Sequence, residues 1–200
     1  MLEGMNDERF LVSGWEDDLN DIDVSRNPEE LSEKNFMLAC ENGNLDQVTR
    51  LIEENPKLIN STDKDKYTPL HRACYSNHVN IVEYLLEKGA NIAAETEMSW
   101  QPLHSCCQWN NVKCAAALIR HGADVNAKSD GGQTPLHIAA THGASYEMVQ
   151  MLLMHPYIDP YIKNVNGETP KDIATRSSRF YNILEMADPL LDTESAGNLH

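Results

Sequence analysis

Three evenly spaced histidines are the side chains in this sequence best suited to chemistry. His71, His104 and His137 stand 33 residues apart, and imidazole is a frequent zinc ligand and general base. The ligands of one metal ion must all lie within about 2 Å of it. Because equal spacing indicates one histidine in each successive structural unit, the three imidazoles cannot converge. We predict that their role is structural.

A denser group, formed by His104, Cys106, Cys107 and Cys114, suggests a metal or thiol site at first sight. It contains no paired Cys-x-x-Cys spacing, and the chain has no His-Glu-x-x-His sequence. No cysteine stands beside an evident base that could activate its thiol. We therefore predict no catalytic residue, no metal site and no cofactor, and we expect all five cysteines to be reduced.

The histidines belong to a four-residue motif that recurs along the chain. Its copies are Thr68-Pro69-Leu70-His71, Gln101-Pro102-Leu103-His104 and Thr134-Pro135-Leu136-His137, followed by a decayed copy, Thr169-Pro170-Lys171-Asp172. Threonine can cap a helix through its hydroxyl group, and proline fits the first helical position, where its missing N–H is not needed. Each copy therefore predicts the start of a helix.

A second helix is predicted after each of the three full motifs. Apolar residues recur there at three- and four-residue spacing, which is the pattern of one buried helix face. They are Val79, Val82, Leu85 and Leu86, then Val112, Ala115, Leu118 and Ile119, then Met148, Met151 and Leu152. Gly89 and Gly122 follow two of these helices and can adopt the left-handed conformation that ends a helix. None of the resulting units could bury its apolar face without a neighbour.

These motifs resemble the ankyrin repeat, whose pattern is a Thr-Pro-Leu-His-x-Ala start and an ending like Gly122-Ala123-Asp124-Val125-Asn126. The resemblance implies an all-α solenoid of about five helix–turn–helix units joined by β-hairpin-like loops. We expect repeats at 34–66, 67–99, 100–132, 133–167 and 168–188, with an acidic, disordered segment at 1–33 and a tail at 189–200. It also implies that the motif histidines hydrogen-bond the backbone of a neighbouring loop.

Charge and hydropathy restrict the partners. The net charge of −15 opposes direct binding to nucleic acid or to an anionic membrane, so we expect a protein partner with a basic surface. Residues 1–33 alone hold eleven carboxylates and two arginines. No apolar run reaches the roughly 18 residues that span a bilayer, and no signal-peptide pattern is present. We therefore expect a monomeric intracellular protein of the nucleus, the cytoplasm or both.

The resemblance also predicts where a partner binds, because ankyrin proteins usually hold it in a concave groove formed by loop tips and first helices. The corresponding columns predict a surface in the second to fourth repeats. Its residues are Lys64, Asp65, Tyr67, Tyr75, Ser76, Glu97, Met98, Trp100, Gln108, Trp109, Asp130, Gly131, Gln133, Thr141 and His142. We predict two aromatic pairs, Tyr67 with Trp100 and Tyr75 with Trp109, as an interface hot spot. In the alternative, Tyr67 and Trp100 only cover the bases of the loops.

Two loop positions depart from the family pattern, which has glycine just before the groove residue of each loop. Gly132 and Gly167 agree with it, whereas Lys66 and Ser99 do not. Glycine adopts left-handed backbone conformations more easily than other residues. We therefore expect these two loops to bend differently.

Two further hypotheses stay open beside protein binding. The acidic segment contains Phe10, Leu11, Val12 and Trp15, so it is either a solvated tail or a docking motif, and in the second case the protein acts as a transcription-associated regulatory cofactor. Asn126 follows Asp124-Val125, eight residues after Leu118, and resembles the family sites that an asparagine hydroxylase modifies. The other interpretation of Asn126 is a structural residue that braces its loop.

Overall fold

The computed structural model describes residues 28–141, 146–177 and 184. These residues form nine α-helices and one 3₁₀ helix, with no β-strand among them. The helices are α1 (Pro28–Glu41), α2 (Leu45–Glu54), the 3₁₀ helix (Pro56–Asn60), α3 (Pro69–Tyr75), α4 (Val79–Glu87), α5 (Pro102–Gln108), α6 (Val112–Arg120), α7 (Pro135–Thr141), α8 (Tyr146–Leu153) and α9 (Pro170–Ser177). The predicted all-α repeat solenoid is confirmed.

The helices form two layers. Helices α1, α3, α5, α7 and α9 pack side by side in one layer, and α2, α4, α6 and α8 form the other. The core lies between the layers and runs without a break from Phe36 in α1 to Leu184. Of the predicted apolar stripes, the fully buried members are Val82, Leu85, Ala115, Leu118, Met148 and Leu152, while the others pack half-buried at the margin. Each unit is therefore completed by its neighbours.

The helix ends follow the predicted signals. Thr68 occupies the cap position of α3, where its hydroxyl oxygen accepts the His71 N–H at 3.4 Å, and Pro69 follows in the first turn. Gly89 and Gly122 have φ angles of 89° and 88°. They end the second helices of their repeats in the left-handed conformation, as predicted.

The first helix begins earlier than expected. It starts at Pro28, so residues 28–33 belong to α1 and not to the acidic segment, which we expected to extend to residue 33. That boundary relies on charge density, which misses a standard helix-start signal, a proline followed by acidic residues in the first turn. Carboxylates at this end of a helix are stabilised by the helix dipole.

Four equivalent hairpin loops connect the repeats, at residues 63–67, 96–100, 129–133 and 164–168. In each, the N–H of the first residue donates to the carbonyl of the fifth, at distances of 2.9 to 3.0 Å. A side-chain oxygen of the first residue also accepts the N–H of the fifth. The first residues are Asp63, Thr96, Ser129 and Asn164, so their shared property is an acceptor oxygen on a short side chain.

The expectation that the Lys66 and Ser99 loops bend differently is wrong. Their φ angles are 63° and 55°, against 66° for Gly132 and 77° for Gly167. The N–H of each of these four residues donates to the carbonyl of the first residue of its loop. Because these hydrogen bonds fix the path of the turn, a lysine and a serine are held in the left-handed conformation, at some cost in strain.

Each motif histidine links its repeat to the next hairpin loop. The Nδ1 atoms of His71, His104 and His137 accept the backbone N–H three residues before them, at 3.1 to 3.2 Å. Their Nε2 atoms therefore carry the proton and donate it to the carbonyls of Trp100, Gln133 and Glu168, at 3.0 to 3.1 Å. The predicted hydrogen bond to a neighbouring loop is confirmed.

Burial keeps these imidazoles neutral. It lowers the pKa of His71 to about 4 and also lowers the pKa values of His104 and His137. A second proton on Nδ1 would also face the N–H that this atom now accepts. The neutral tautomer is thus part of the folded structure.

Acidification from pH 7 to pH 5 should lower the thermal midpoint of unfolding. Below pH about 6.5 the histidines of the unfolded chain take up protons, whereas the folded state keeps His71 neutral until about pH 4. This contribution to stability is present above pH about 6.5 and is lost as the pH falls, by up to about 1.4 kcal/mol per pH unit for each such histidine. Circular dichroism melts at constant ionic strength measure it.

The variant His71→Asn supplies the control for this titration. It should be less stable than the parent at pH 7, yet its midpoint should fall less between pH 7 and pH 5 because one proton uptake is removed. A parent midpoint that is unchanged or higher at pH 5 would contradict the neutral-histidine structure.

Replacing Lys66 by glycine should stabilise the protein, because glycine tolerates the φ angle of 63° without strain. We expect the free energy of unfolding to rise by about 0.5 kcal/mol. Relief of the left-handed strain contributes about 1 to 2 kcal/mol, and the extra backbone entropy of glycine in the unfolded chain offsets part of it. The measurement is the midpoint of urea unfolding. Lys66→Ala removes the same charge and serves as the control.

The reverse substitution, Gly132→Ala, should destabilise the protein. Its φ is +66°, and a Cβ there would lie 3.1 Å from the backbone nitrogen of Val165. If Lys66→Gly is no more stable than Lys66→Ala in urea unfolding, left-handed strain at Lys66 is refuted.

Candidate protein-interaction surface

The predicted groove residues lie on the loop tips and at the ends of the first-layer helices. Most of them reach solvent: Lys64, Asp65, Tyr75, Glu97, Met98, Trp109 and Asp130 are exposed, and Tyr67, Ser76, Trp100, Gln108, Gly131, Gln133 and Thr141 are half-buried. His142 lies outside the described residues. These polar, aromatic and apolar side chains are thus accessible on the loop tips and helix ends, and we call this set of residues the concave surface, after the groove that the family resemblance implies.

Tyr75 and Trp109 form the predicted aromatic pair. Their ring centroids are 4.9 Å apart at an interplanar angle of 79°, an edge-to-face contact that joins the second repeat to the third. Both remain exposed, Tyr75 at 38% and Trp109 at 43%. Exposed rings that already contact each other leave the rest of their faces available to a ligand.

The backbone beneath this pair is fixed by the third repeat. The buried side chain of Asn111 donates through Nδ2 to the carbonyls of Cys74 and Tyr75, at 2.7 and 2.8 Å. His78 has the same role in the preceding repeat, where its Nε2 lies 2.9 Å from the carbonyl of Glu41. These hydrogen bonds satisfy carbonyls at the end of a helix, so Tyr75 is presented from a rigid helix end.

The second predicted pair is corrected by the structure. Tyr67 contacts His71 of its own repeat edge-on, with ring centroids 5.6 Å apart, and Trp100 stacks on His104 at 6.1 Å. Each ring shields the histidine that links its repeat to the next loop. The alternative interpretation, that Tyr67 and Trp100 cover the loop bases, describes their contacts better.

A buried ion pair beside Tyr67 was not anticipated from the sequence. Arg72 donates from Nη2 to Oδ2 of Asp63 at 2.8 Å, with side-chain exposures of 10% and 0%, and its guanidinium lies over the Tyr67 ring, 5.1 Å from the centroid. The other carboxylate oxygen of Asp63 accepts the N–H groups of Asp65 and Tyr67. Burial raises the pKa of Tyr67. The only sign of this ion pair in the sequence is Asp63 itself, a charged residue at the loop position where the other three loops have threonine, serine or asparagine.

The loop tips carry the charges of the concave surface. Glu97 donates its N–H to the carbonyl of Asp65 at 3.0 Å, and Asp130 donates to the carbonyl of Met98 at 3.1 Å. The Ser99 hydroxyl donates to Oδ1 of Asp130 at 2.6 Å. These hydrogen bonds join the tips of neighbouring loops, so the tip side chains are held in a fixed order along the solenoid.

The histidine and cysteine side chains are arranged for packing. Among the described residues, no three His, Cys, Asp or Glu side chains come together in a way that could hold a metal ion. All five cysteines are buried free thiols. Burial raises the pKa values of Cys40, Cys106 and Cys107, and that of Cys114 to about 12. Such thiols are not converted to nucleophilic thiolates near neutral pH.

The side chain of Asn126 joins the end of the third repeat to the segment that follows α8 in the fourth. Its Nδ2 donates to the carbonyl of Tyr157 at 2.6 Å, and its Oδ1 accepts the N–H of Asp159 at 3.0 Å. Both ends of the amide are therefore used between the third and fourth repeats. The structural interpretation accounts for these contacts, and modification of Asn126 by a hydroxylase stays a prediction.

A second exposed cluster lies in the fourth repeat and was not predicted. Met154, Tyr157 and Tyr161 are 74%, 80% and 52% exposed, and the first borders an open depression together with Glu147, Gln150, Met151, His155 and Pro156. In each of the two repeats an aspartate carboxylate accepts the backbone N–H of the residue two positions later, at Asp124 and at Asp159. Asp159 therefore corresponds to Asp124, and Tyr157 occupies the position at which the third repeat has a glycine. Two extra residues in this repeat obscure that correspondence in the sequence.

Some predictions fall outside the described residues. They concern the acidic segment up to residue 27, including Phe10, Leu11, Val12 and Trp15, and the tail at 189–200. The effector role of the acidic segment stays a prediction. Among the described helices, none has the length and apolar character needed to cross a membrane.

Comparison with known families and proteins agrees with the observed repeats. The family profile "Ankyrin repeats (3 copies)" matches residues 36–129, and "Ankyrin repeats (many copies)" matches residues 118–174. A shorter similarity, 38% identity over 59 residues, links 30% of the chain to 26% of the 26S proteasome non-ATPase regulatory subunit 10 of Rattus norvegicus.

The longer matches are to proteins from different organisms that share the same name. It is 53% identical over 153 residues to ankyrin repeat domain-containing protein 49 of Homo sapiens, covering 76% of this chain and 64% of that protein. It is 44% identical over 187 residues to the protein of the same name from Drosophila melanogaster, covering 93% of this chain and 87% of that protein. The match thus spans less than two thirds of the human relative. The repeated helix pairs, the histidine links and these similarities show that the chain belongs to the ankyrin-repeat family.

Proposed function

We propose that this chain is a non-catalytic protein-interaction module that binds a partner protein on its concave surface. Ankyrin-repeat proteins are in general non-catalytic scaffolds. The observation that supports this site most strongly is the exposed Tyr75–Trp109 pair, held on a rigid helix end between two repeats. Tyrosine and tryptophan dominate the energetics of protein interfaces.

The physical basis of the proposed binding is preorganisation. Aromatic side chains offer a large contact area and lose little conformational entropy when they bind. Here the edge-to-face contact already restricts both rings, and Asn111 fixes the carbonyl of Tyr75. A partner that covers the pair therefore gains burial of apolar area without having to order the site first.

The test is affinity capture from cell lysate with the full chain and with the double variant Tyr75→Ala, Trp109→Ala. We expect the variant to stay folded and to lose a specific partner. Once that partner is purified, its affinity for the variant should be lower by a factor of about 30, as expected when hot-spot aromatics worth about 2 kcal/mol are truncated. Trp100 stays unchanged because it stacks on His104, so removing it would also disturb the fold.

The matched control is Met154→Ala, Tyr157→Ala, which removes two apolar side chains that are 74% and 80% exposed in the second exposed cluster. This variant should retain the partner. If it loses the partner while Tyr75→Ala, Trp109→Ala retains it, the second exposed cluster is the binding site and our assignment is refuted. Circular dichroism melts of all three proteins establish that folding is comparable.

A further inference from the structure

An exposed methionine stands next to two acidic residues in the middle of the loop-tip row. Met98 is 66% exposed, Glu97 precedes it, and its carbonyl accepts the N–H of Asp130 from the next loop at 3.1 Å. Glu97 and Asp130 are both exposed. The middle of the loop-tip row therefore carries an exposed apolar side chain, with one acidic residue next to it in the chain and a second in the adjoining loop, in the same two repeats as the Tyr75–Trp109 pair.

One of these carboxylates is held in place. The Ser99 hydroxyl donates to Oδ1 of Asp130 at 2.6 Å, and the position of Ser99 is set by the left-handed turn of the second hairpin loop. A carboxylate that is already oriented loses less side-chain entropy when it binds a cation.

The charge pattern along the tips favours one class of occupant. At the equivalent position of the four loops stand Lys64, Glu97, Asp130 and Val165, so the carboxylates occupy the two central loops. Nucleic acid and anionic membranes would be repelled there. A purely apolar segment would remove the carboxylates from water without a charged partner, which is costly.

We propose that the concave surface recognises a short basic segment of its partner protein. The apolar stem of an arginine or lysine lies on Met98, and its cationic head lies between Glu97 and Asp130, because these side chains combine an apolar stem with a charged end. A second, apolar or aromatic residue of the segment rests on the Tyr75–Trp109 pair. The inference rests on the proposed function, because both use the same surface.

The fold also sets the spacing within this segment. The loop tip and Trp109 are separated by α5, which has seven residues and is therefore about 10 Å long. An extended chain covers that distance in about three residues. The basic residue and the apolar anchor of the segment should thus be at least three positions apart.

The test is selection of a random dodecapeptide display library on the immobilised full chain, followed by affinity measurements with synthetic labelled peptides. We expect enriched sequences to contain arginine or lysine together with an aromatic or large apolar residue at that spacing. The charge-reversal variant Glu97→Lys, Asp130→Lys should weaken binding of these peptides by at least about tenfold. The variant Tyr75→Ala, Trp109→Ala should weaken it as well.

The matched control is Glu53→Lys, Glu87→Lys, which changes the net charge by the same amount at two exposed positions on α2 and α4. It should bind the peptides within about twofold of the parent, since charges far from a contact have little effect on it. Equal weakening by both charge-reversal variants would show attraction by net charge alone and would overturn the inference.

The remaining outcomes separate this inference from the proposed function. In one outcome the enriched peptides lack basic residues and bind the Glu97→Lys, Asp130→Lys variant as tightly as the parent, yet bind the Tyr75→Ala, Trp109→Ala variant more weakly. In that case the basic-segment inference fails and the concave site stands. If peptide binding is unchanged both by the reversal of Glu97 and Asp130 and by the removal of Tyr75 and Trp109, the basic-segment inference and the concave binding site both fail. A selection that enriches no peptide above the background of the empty matrix also overturns recognition of a short basic segment.

Discussion

A neutral imidazole that donates to the next hairpin loop is the contact on which the solenoid depends. Within one repeat, His71 accepts the N–H of Thr68, and it donates to the carbonyl of Trp100 in the next. The same geometry at His104 and His137 repeats the step along the chain. Because each imidazole is buried and uses both nitrogens, it fixes the distance between a first-layer helix and the following loop. The order of side chains on the loop tips is a consequence of this spacing.

Stability and recognition use different residues of the same repeat. The motif proline, leucine and histidine are buried in the second, third and fourth repeats, and they are the same in all three. Positions that face outward vary: the column of Tyr75 holds Gln108 in the next repeat, and the column of Lys64 holds Glu97, Asp130 and Val165. A solenoid can accept such variation because these side chains lie outside the buried core that joins one repeat to the next. The binding chemistry of this chain must therefore be sought where its repeats differ.

The period of the motif and its cap residues predicted the helices that follow each copy and their buried faces, because those depend on contacts that every repeat makes. The histidine links followed from the family resemblance. The period did not predict the salt bridge of Asp63 with Arg72, since a buried pair nine residues apart leaves no periodic trace. The left-handed turns at Lys66 and Ser99 were missed because hydrogen bonding across the loop overrides the preference for glycine. The family columns predicted that Tyr75 and Trp109 form an exposed pair, and the contact between their rings agrees with this, while their binding role stays a proposal. The columns could not show that Tyr67 and Trp100 are occupied with their own histidines.

Hydrogen exchange of the chain, alone and bound to a purified partner, tests most directly whether recognition occurs on the concave surface. If it does, the partner should slow exchange at the backbone amides of residues 75–76, 97–100 and 108–109, while the amides of α4 and α6 in the outer layer exchange as before. Slower exchange confined to α4, α6 and the segment 154–161, with none at the loop tips or at Trp109, would contradict it.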